Sequence, residues 1–178
     1  MRTSGARSHN HGGIAYTMFF TGPEIASALA ELGVTHVIWI PDSALGPWES
    51  TLEGTPAFRL VRICREGEAW PLAAGLYLGG ASPVVIMQVT GLFESGDALR
   101  NALFDLRLPL FGIIGARNWL ARDADDSARR FTLPVIRAWG IPHVLIAAEA
   151  DKPKLAEHYR RCRRSAQPGL ALIGEGGP

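Results

Sequence analysis

Cys64-Arg65-Glu66-Gly67-Glu68-Ala69-Trp70-Pro71-Leu72-Ala73-Ala74-Gly75-Leu76-Tyr77-Leu78 is the stretch on which the fold turns. From Ala69 onward nearly every residue is apolar, so this segment has no polar face for water and reads as a buried helix. Pro71 lacks a backbone donor, which puts it in the first turn and fixes the helix start just ahead of it. Before this helix, residues 58–63 form a strand candidate, and Pro83-Val84-Val85-Ile86-Met87 behind it forms another. Strand, buried helix, strand is the repeating unit of a parallel sheet.

The alternation continues in both directions. Thr21-Gly22-Pro23-Glu24 opens a helix with Ile25, Ala28, Leu29 and Leu32 on one face, Pro23 in its first turn and Gly33 at its stop. A strand over 36–40 follows, then the turn Pro41-Asp42-Ser43 and a short helix over 45–52. Farther on, a helix is predicted over 95–106, a strand over 110–114 and a helix over 127–139. A strand over 143–146, a basic helix over 154–164 and a strand over 170–173 complete the series. Strands that are apolar throughout belong to a sheet covered on both faces. The expected fold is therefore α/β, a single doubly wound and mostly parallel sheet with helices on both faces. It should occupy 17–178, and the polar Gly/Ser-rich stretch 1–16 should be a flexible tail. His9 and His11 in that stretch have no further ligands nearby and are assigned to the tail, not to a metal site.

Composition excludes several classes. With 178 residues, 18 Lys+Arg against 17 Asp+Glu and a net charge of +1, there is no basic excess for a nucleic-acid backbone. The run Arg160-Arg161-Cys162-Arg163-Arg164 then reads as a solvated helix end. Apolar runs stay well short of the about 18 residues a membrane span needs. Two cysteines suit a reducing compartment, and no apolar leader follows the first basic residues, so a cytoplasmic protein is expected. Nucleotide fingerprints and a Gly-x-Ser-x-Gly elbow are missing. Cys64 has only Arg65 as an activator and reads as structural.

In such folds ligands sit at the carboxyl ends of the strands. The residues there are Pro41-Asp42-Ser43, Cys64-Arg65-Glu66, Gln88-Val89-Thr90-Gly91-Leu92 and Gly115-Ala116-Arg117-Asn118. Glu66 and Glu68 lie between a strand and the buried helix. At least one of them is expected to start near a dry environment, where burial disfavours the charged form. Acids in a first helical turn also simply complement the dipole, and the residues alone leave both readings open.

These motifs in this order, with Ile40-Pro41-Asp42-Ser43 and Pro109-Leu110-Phe111-Gly112-Ile113-Ile114-Gly115-Ala116-Arg117 on either side, resemble the pyrimidine-binding domain of thiamine diphosphate enzymes. The likeness is to the sulfopyruvate decarboxylase α subunit and the amino-terminal half of phosphonopyruvate decarboxylase, and it runs from about Thr21 to Ile173. It implies that Glu66, with Glu68 as second choice, hydrogen-bonds N1′ of the aminopyrimidine. It further implies cofactor contacts at Gln88, Thr90, Gly91 and Leu92, and substrate contacts at Asp42, Ser43 and Arg117.

The family's other half binds the diphosphate and Mg²⁺ through Gly-Asp-Gly and Asn-Asn. Here only Gly96-Asp97-Ala98 and a lone Asn118 occur, in a different context, so no metal ligand is assigned to this chain. Thiamine diphosphate and Mg²⁺ should be completed by a separate subunit of that type, in a hetero-oligomer with like-subunit pairing. The expected function is the pyrimidine half of a 2-oxo acid decarboxylase. A non-catalytic partner subunit that kept the fold is the alternative, and an unrelated flavodoxin-like binding module is a third.

Val89 and Phe93-Glu94 depart from the family pattern, and the histidine expected near Asp125-Asp126-Ser127-Ala128-Arg129 is missing. With Phe93 as an apolar wall and Glu94 as a repelling charge, the substrate should be a small 2-oxo acid with one anionic end.

Overall fold

Thr21 caps the first helix, α1 (Gly22–Glu31), through a reciprocal pair of bonds: its hydroxyl accepts from the Glu24 N–H and the Glu24 carboxylate accepts from the Thr21 N–H. That backbone donor, with Lys152 2.9 Å from the other carboxylate oxygen, pulls the Glu24 carboxyl down to about 2. The computed structural model describes residues 19–42, 44–121 and 123–176. The tail expected over 1–16, and Ser43, lie outside them.

Six strands follow: β1 (His36–Trp39), β2 (Arg59–Arg62), β3 (Pro83–Gln88), β4 (Phe111–Ala116), β5 (His143–Ile146) and β6 (Gly169–Gly174). All pair in parallel, in the order β2-β1-β3-β4-β6-β5. The connecting helices are α2 (Glu49–Gly54), α3 (Ala69–Leu78), α4 (Val89–Glu94), α5 (Gly96–Arg100), α6 (Ser127–Ala138) and α7 (Pro153–Ser165). Because strand side chains alternate between faces, each central strand feeds two cores. Val37 and Trp39 join Ile25, Leu29, Leu52, Leu155 and Tyr159 beneath α1, α2 and α7. Ile38, Val85 and Met87 join Trp70, Leu99 and Ile136 beneath α3, α5 and α6. Trp70 is fully buried and its indole N–H donates to Ser95 Oγ at 3.0 Å. Burying such a ring stabilises by about 2–3 kcal/mol at the usual area coefficient. The edge strand β2 is blunted by charge, since Arg62 pairs with Glu49 and Glu53.

The doubly wound, parallel α/β sheet expected from the sequence is the one observed. Helix α3 begins at Ala69 with Pro71 in its first turn, as its sequence requires. Two segments differ. Residues 89–94, expected as loop, form α4, whose cap residue Gln88 makes no side-chain cap bond and so gives no start signal. The helix expected over 95–106 is α5 followed by a single π-type turn, Asn101–Asp105, closed by Leu106 N–H to the Asn101 carbonyl.

From β1 the chain passes to β2 on one side and later to β3 on the other, so the switch point of the sheet lies at the carboxyl end of β1. Asp42, Glu66 and Gln88 are delivered there by β1, β2 and β3. No helix among the described residues is long and apolar enough to cross a membrane.

Candidate functional site

Glu66 opens a 3₁₀ turn, Glu66–Glu68, wedged between β2 and α3. Its side chain lies over Gly91 in α4, so close that a Cβ on Gly91 would overlap the Glu66 side chain. Glycine at 91 is thus the space in which Glu66 sits. The Glu66 carboxylate is half-buried and makes no hydrogen bond among the described residues. Glu68 is exposed and committed elsewhere: its Oε2 accepts from the Cys64 N–H at 3.2 Å and the Arg65 N–H at 3.4 Å. The two readings left open for these acids therefore divide between them. Glu68 serves the local backbone, and Glu66 keeps a free carboxylate. The dry surroundings expected for one of them are only partly present: Ala69 and Trp70 at the start of α3 are fully buried, but Glu66 is half-buried and Glu68 exposed.

Glu94 has a different role from the one its sequence position suggested. Its Oε1 pairs with Arg65 at 2.7 Å and its Oε2 accepts from the Gly67 N–H at 2.8 Å. Arg65 first, helped by the Gly67 N–H, holds the Glu94 carboxyl below the usual range. A carboxylate already neutralised by an arginine does not repel a second anion, so the charge argument for a singly anionic substrate falls. Glu94 is instead a bolt across the loop that carries Glu66. Phe93 does form an apolar wall, in a cavity of about 490 Å³ with Thr90, Ser127, Phe131, Val135 and Trp139.

The other expected site residues converge on the same edge. Gln88 ends β3, and Thr90, on the first turn of α4, donates its hydroxyl to Gln88 Oε1 at 3.1 Å. Leu92 is fully buried in the core, which leaves only its backbone for a ligand. Asp42 Oδ1 accepts from the Ala44 and Leu45 N–H groups at 2.6 and 3.0 Å, while its Oδ2 is buried without a partner. Ser43 is outside the described residues. Arg117 is half exposed and reaches Asp126 at 3.3 Å. Asp126 in turn caps α6 through the Ala128 N–H.

One residue here was not read from the sequence. Glu175, just past β6, is 1% exposed, and burial first, then the Asp42 charge, pushes its carboxyl up to about 8. The available signal was its place directly after a strand, inside Gly174-Glu175-Gly176. Among the described residues no group of three or more His, Cys, Asp or Glu is arranged to hold a metal.

Comparison with known proteins adds the lineage. Over 86 residues, 48% of this chain, it is 36% identical to phosphonopyruvate decarboxylase of Streptomyces viridochromogenes and 35% identical to that of Streptomyces hygroscopicus. The match spans only 22% and 21% of those relatives. No protein-family model matches. Among solved structures, a split-gene transketolase described as an inactive β4 tetramer superposes with a TM-score of 0.62 at 17% identity, over 85% of this chain and 50% of that one. The chain thus has the doubly wound α/β fold of that transketolase, and about half of it is similar to part of phosphonopyruvate decarboxylase. Its Glu66 carboxylate is half-buried, held over a glycine and without a hydrogen bond among the described residues.

Proposed function

We propose that this chain is the pyrimidine-binding subunit of a heteromeric thiamine diphosphate-dependent decarboxylase acting on a small 2-oxo acid. The observation that carries this reading is Glu66: a free carboxylate at the switch point, seated on Gly91 and held by the Glu94 clamp on its own loop. The cofactor, when bound, supplies the electron sink for loss of carbon dioxide. Glu66 shares a proton with the aminopyrimidine, Gln88 and Thr90 border the ring at the head of α4, and Arg117 offers a cation to the substrate carboxylate. The diphosphate and Mg²⁺ fall to a separate subunit of the Gly-Asp-Gly and Asn-Asn type, a division that the likeness to a split-gene transketolase supports. Like subunits pair through the groove between α3 and the π-type turn, where Leu78 and Leu106 are 69% and 51% exposed.

The test is calorimetric titration of thiamine diphosphate with Mg²⁺ into the chain alone and into its mixture with such a subunit, with carbon dioxide release from 2-oxo acids followed in parallel. Weak binding alone, and binding with turnover in the mixture, are expected. Robust turnover by the single chain overturns the subunit reading. Tight binding in the mixture without turnover of any 2-oxo acid favours the non-catalytic partner.

A further inference from the structure

We propose that Glu175 and Asp42 form a carboxyl pair that holds one proton at the carboxyl edge of the sheet, with Glu175 acting as a positioning residue for Gln88 and Thr90. The Glu175 side chain crosses the end of β4 where Gly115 leaves room: a Cβ on Gly115 would overlap the Glu175 carboxyl. The crossing brings Glu175 Oε2 to Gln88 Nε2 on β3, which donates to it at 3.2 Å, and Thr90 donates to Gln88 in turn. A row of polar groups thus runs from a buried carboxyl to Thr90, an exposed residue one position from the glycine under Glu66.

Glu175 Oε1 in this row and Asp42 Oδ2 at the end of β1 are both buried without a partner among the described residues. The two carboxyls are close enough for their charges to interact, and two ionised acceptors left buried this way would both stay unsatisfied. One proton on Glu175 Oε1 turns it into a donor and leaves Asp42 Oδ2 as the acceptor, directly or through one hydroxyl or water that accepts from the first and donates to the second. The charged groups facing Glu175 are Asp42 from the β1 end, which favours the proton, and Arg117 from the β4 end, which opposes it. Gln88 from β3 is uncharged, and the Leu120 N–H is occupied by the Glu175 backbone carbonyl. Arg117 is the weaker influence because it is half exposed and shared with Asp126. On release, the Glu175 O–H bond breaks, its electron pair stays on the carboxylate, both oxygens become acceptors and the proton passes to solvent water, which returns it in the reverse step.

The pair stands independently of the proposed reaction, and its use in the catalytic cycle rests on that reading. The decisive measurement is a carboxyl-carbon nuclear magnetic resonance titration of the full chain labelled in Glu and Asp. One glutamate resonance should titrate near 8, vanish in Glu175→Gln, fall clearly in midpoint in Asp42→Asn and rise in Gln88→Leu, which removes a donor to the charged form. The last two variants identify the resonance even where Glu175→Gln does not fold. A midpoint in the ordinary carboxylate range, or one that ignores Asp42→Asn, overturns the pair. In the assembled enzyme, Glu175→Gln should alter the pH profile of kcat while leaving KM for the cofactor in place. An unchanged profile overturns the link to the reaction even where the titration behaves as expected.

Discussion

Glu66 and Glu175 are built the same way and left in different surroundings. Each glutamate follows an element end on the carboxyl side of the sheet, and each lies over a glycine, Gly91 or Gly115, whose missing Cβ makes its seat. Glu66 is half-buried and shares the Arg65 neighbourhood with Glu94. Glu175 is enclosed and feels the Asp42 charge, and among the described residues the neutral amide of Gln88 is its side-chain donor. The glycine supplies position in both cases, and the depth of burial separates them. A cofactor-facing acid has to be reachable, whereas a carboxyl that stores a proton has to be dry.

The largest expected effect tests the Glu66 side. Glu66→Gln keeps the shape but cannot exchange a proton, so turnover of the assembled enzyme should drop by about 10²-fold or more. Glu68→Gln should leave turnover nearly intact and cost only about 1 kcal/mol of stability, the usual worth of a cap. Steady-state kinetics and thermal melts of the two variants measure the contrast. Equal losses would erase the distinction drawn between the two acids.

The Glu175 side is tested by pH. Its carboxyl rises from an ordinary 4.5 to about 8 in the folded chain. Between those values the native state holds a proton that the unfolded state has lost, so this group's contribution is fully present below 4.5 and fades as pH climbs through 8. At about 1.4 kcal/mol per unit of displacement, the loss is on the order of a few kcal/mol. Urea unfolding across this window should show stability declining with pH, and Glu175→Gln should flatten the decline and be the more stable chain on the alkaline side. A wild-type profile as flat as the variant's would mean that the carboxyl is not dry.

The sequence made one of these two acids legible and concealed the other. Glu66 stood ahead of a helix with no polar face, and that helix appeared at its predicted residues, Ala69–Leu78. Glu175 stood after the last strand in a Gly-rich polar ending, and its burial depends on Gly115, 60 positions earlier. Local patterns carry no information about a contact of that range. Helix α4 was hidden for a local reason, since six residues without a side-chain cap give neither period nor boundary. Glu94 was misread because its partners, Arg65 and Gly67, come from an element far away in sequence.

A smaller effect probes the seat itself. Gly115→Ala pushes a methyl group into the Glu175 carboxyl and should destabilise by about 1–3 kcal/mol, the range for overpacking. In a Glu175→Ala background the same change should cost much less, because the obstructing group is gone. The difference between the two costs, read from a double-mutant cycle of urea unfolding, is the coupling of glycine and carboxyl. A cost that is the same in both backgrounds would show that Gly115 is needed for the strand and not for Glu175.

Smallest in stability is the clamp on the Glu66 loop. Glu94 and Arg65 have 36% and 76% of their side chains exposed, so water screens their ion pair and it contributes little to stability. The Glu94 carboxyl is held below its usual range, chiefly by Arg65, so whatever it contributes is present near neutrality and lost as pH falls through its folded value. Position matters more than energy here. The same carboxylate fixes the Gly67 N–H, one residue from Glu66, so removing it frees the Glu66 loop while the fold persists. Glu94→Ala should therefore shift the melt very little, yet lower kcat several-fold and speed amide hydrogen exchange at Gly67. Glu94→Gln, which can still accept from Gly67, should recover most of the loss. If Gln is as slow as Ala, the charge of Glu94 matters and not its grip on the loop; Glu66 would then resemble Glu175 in being governed by a neighbouring charge.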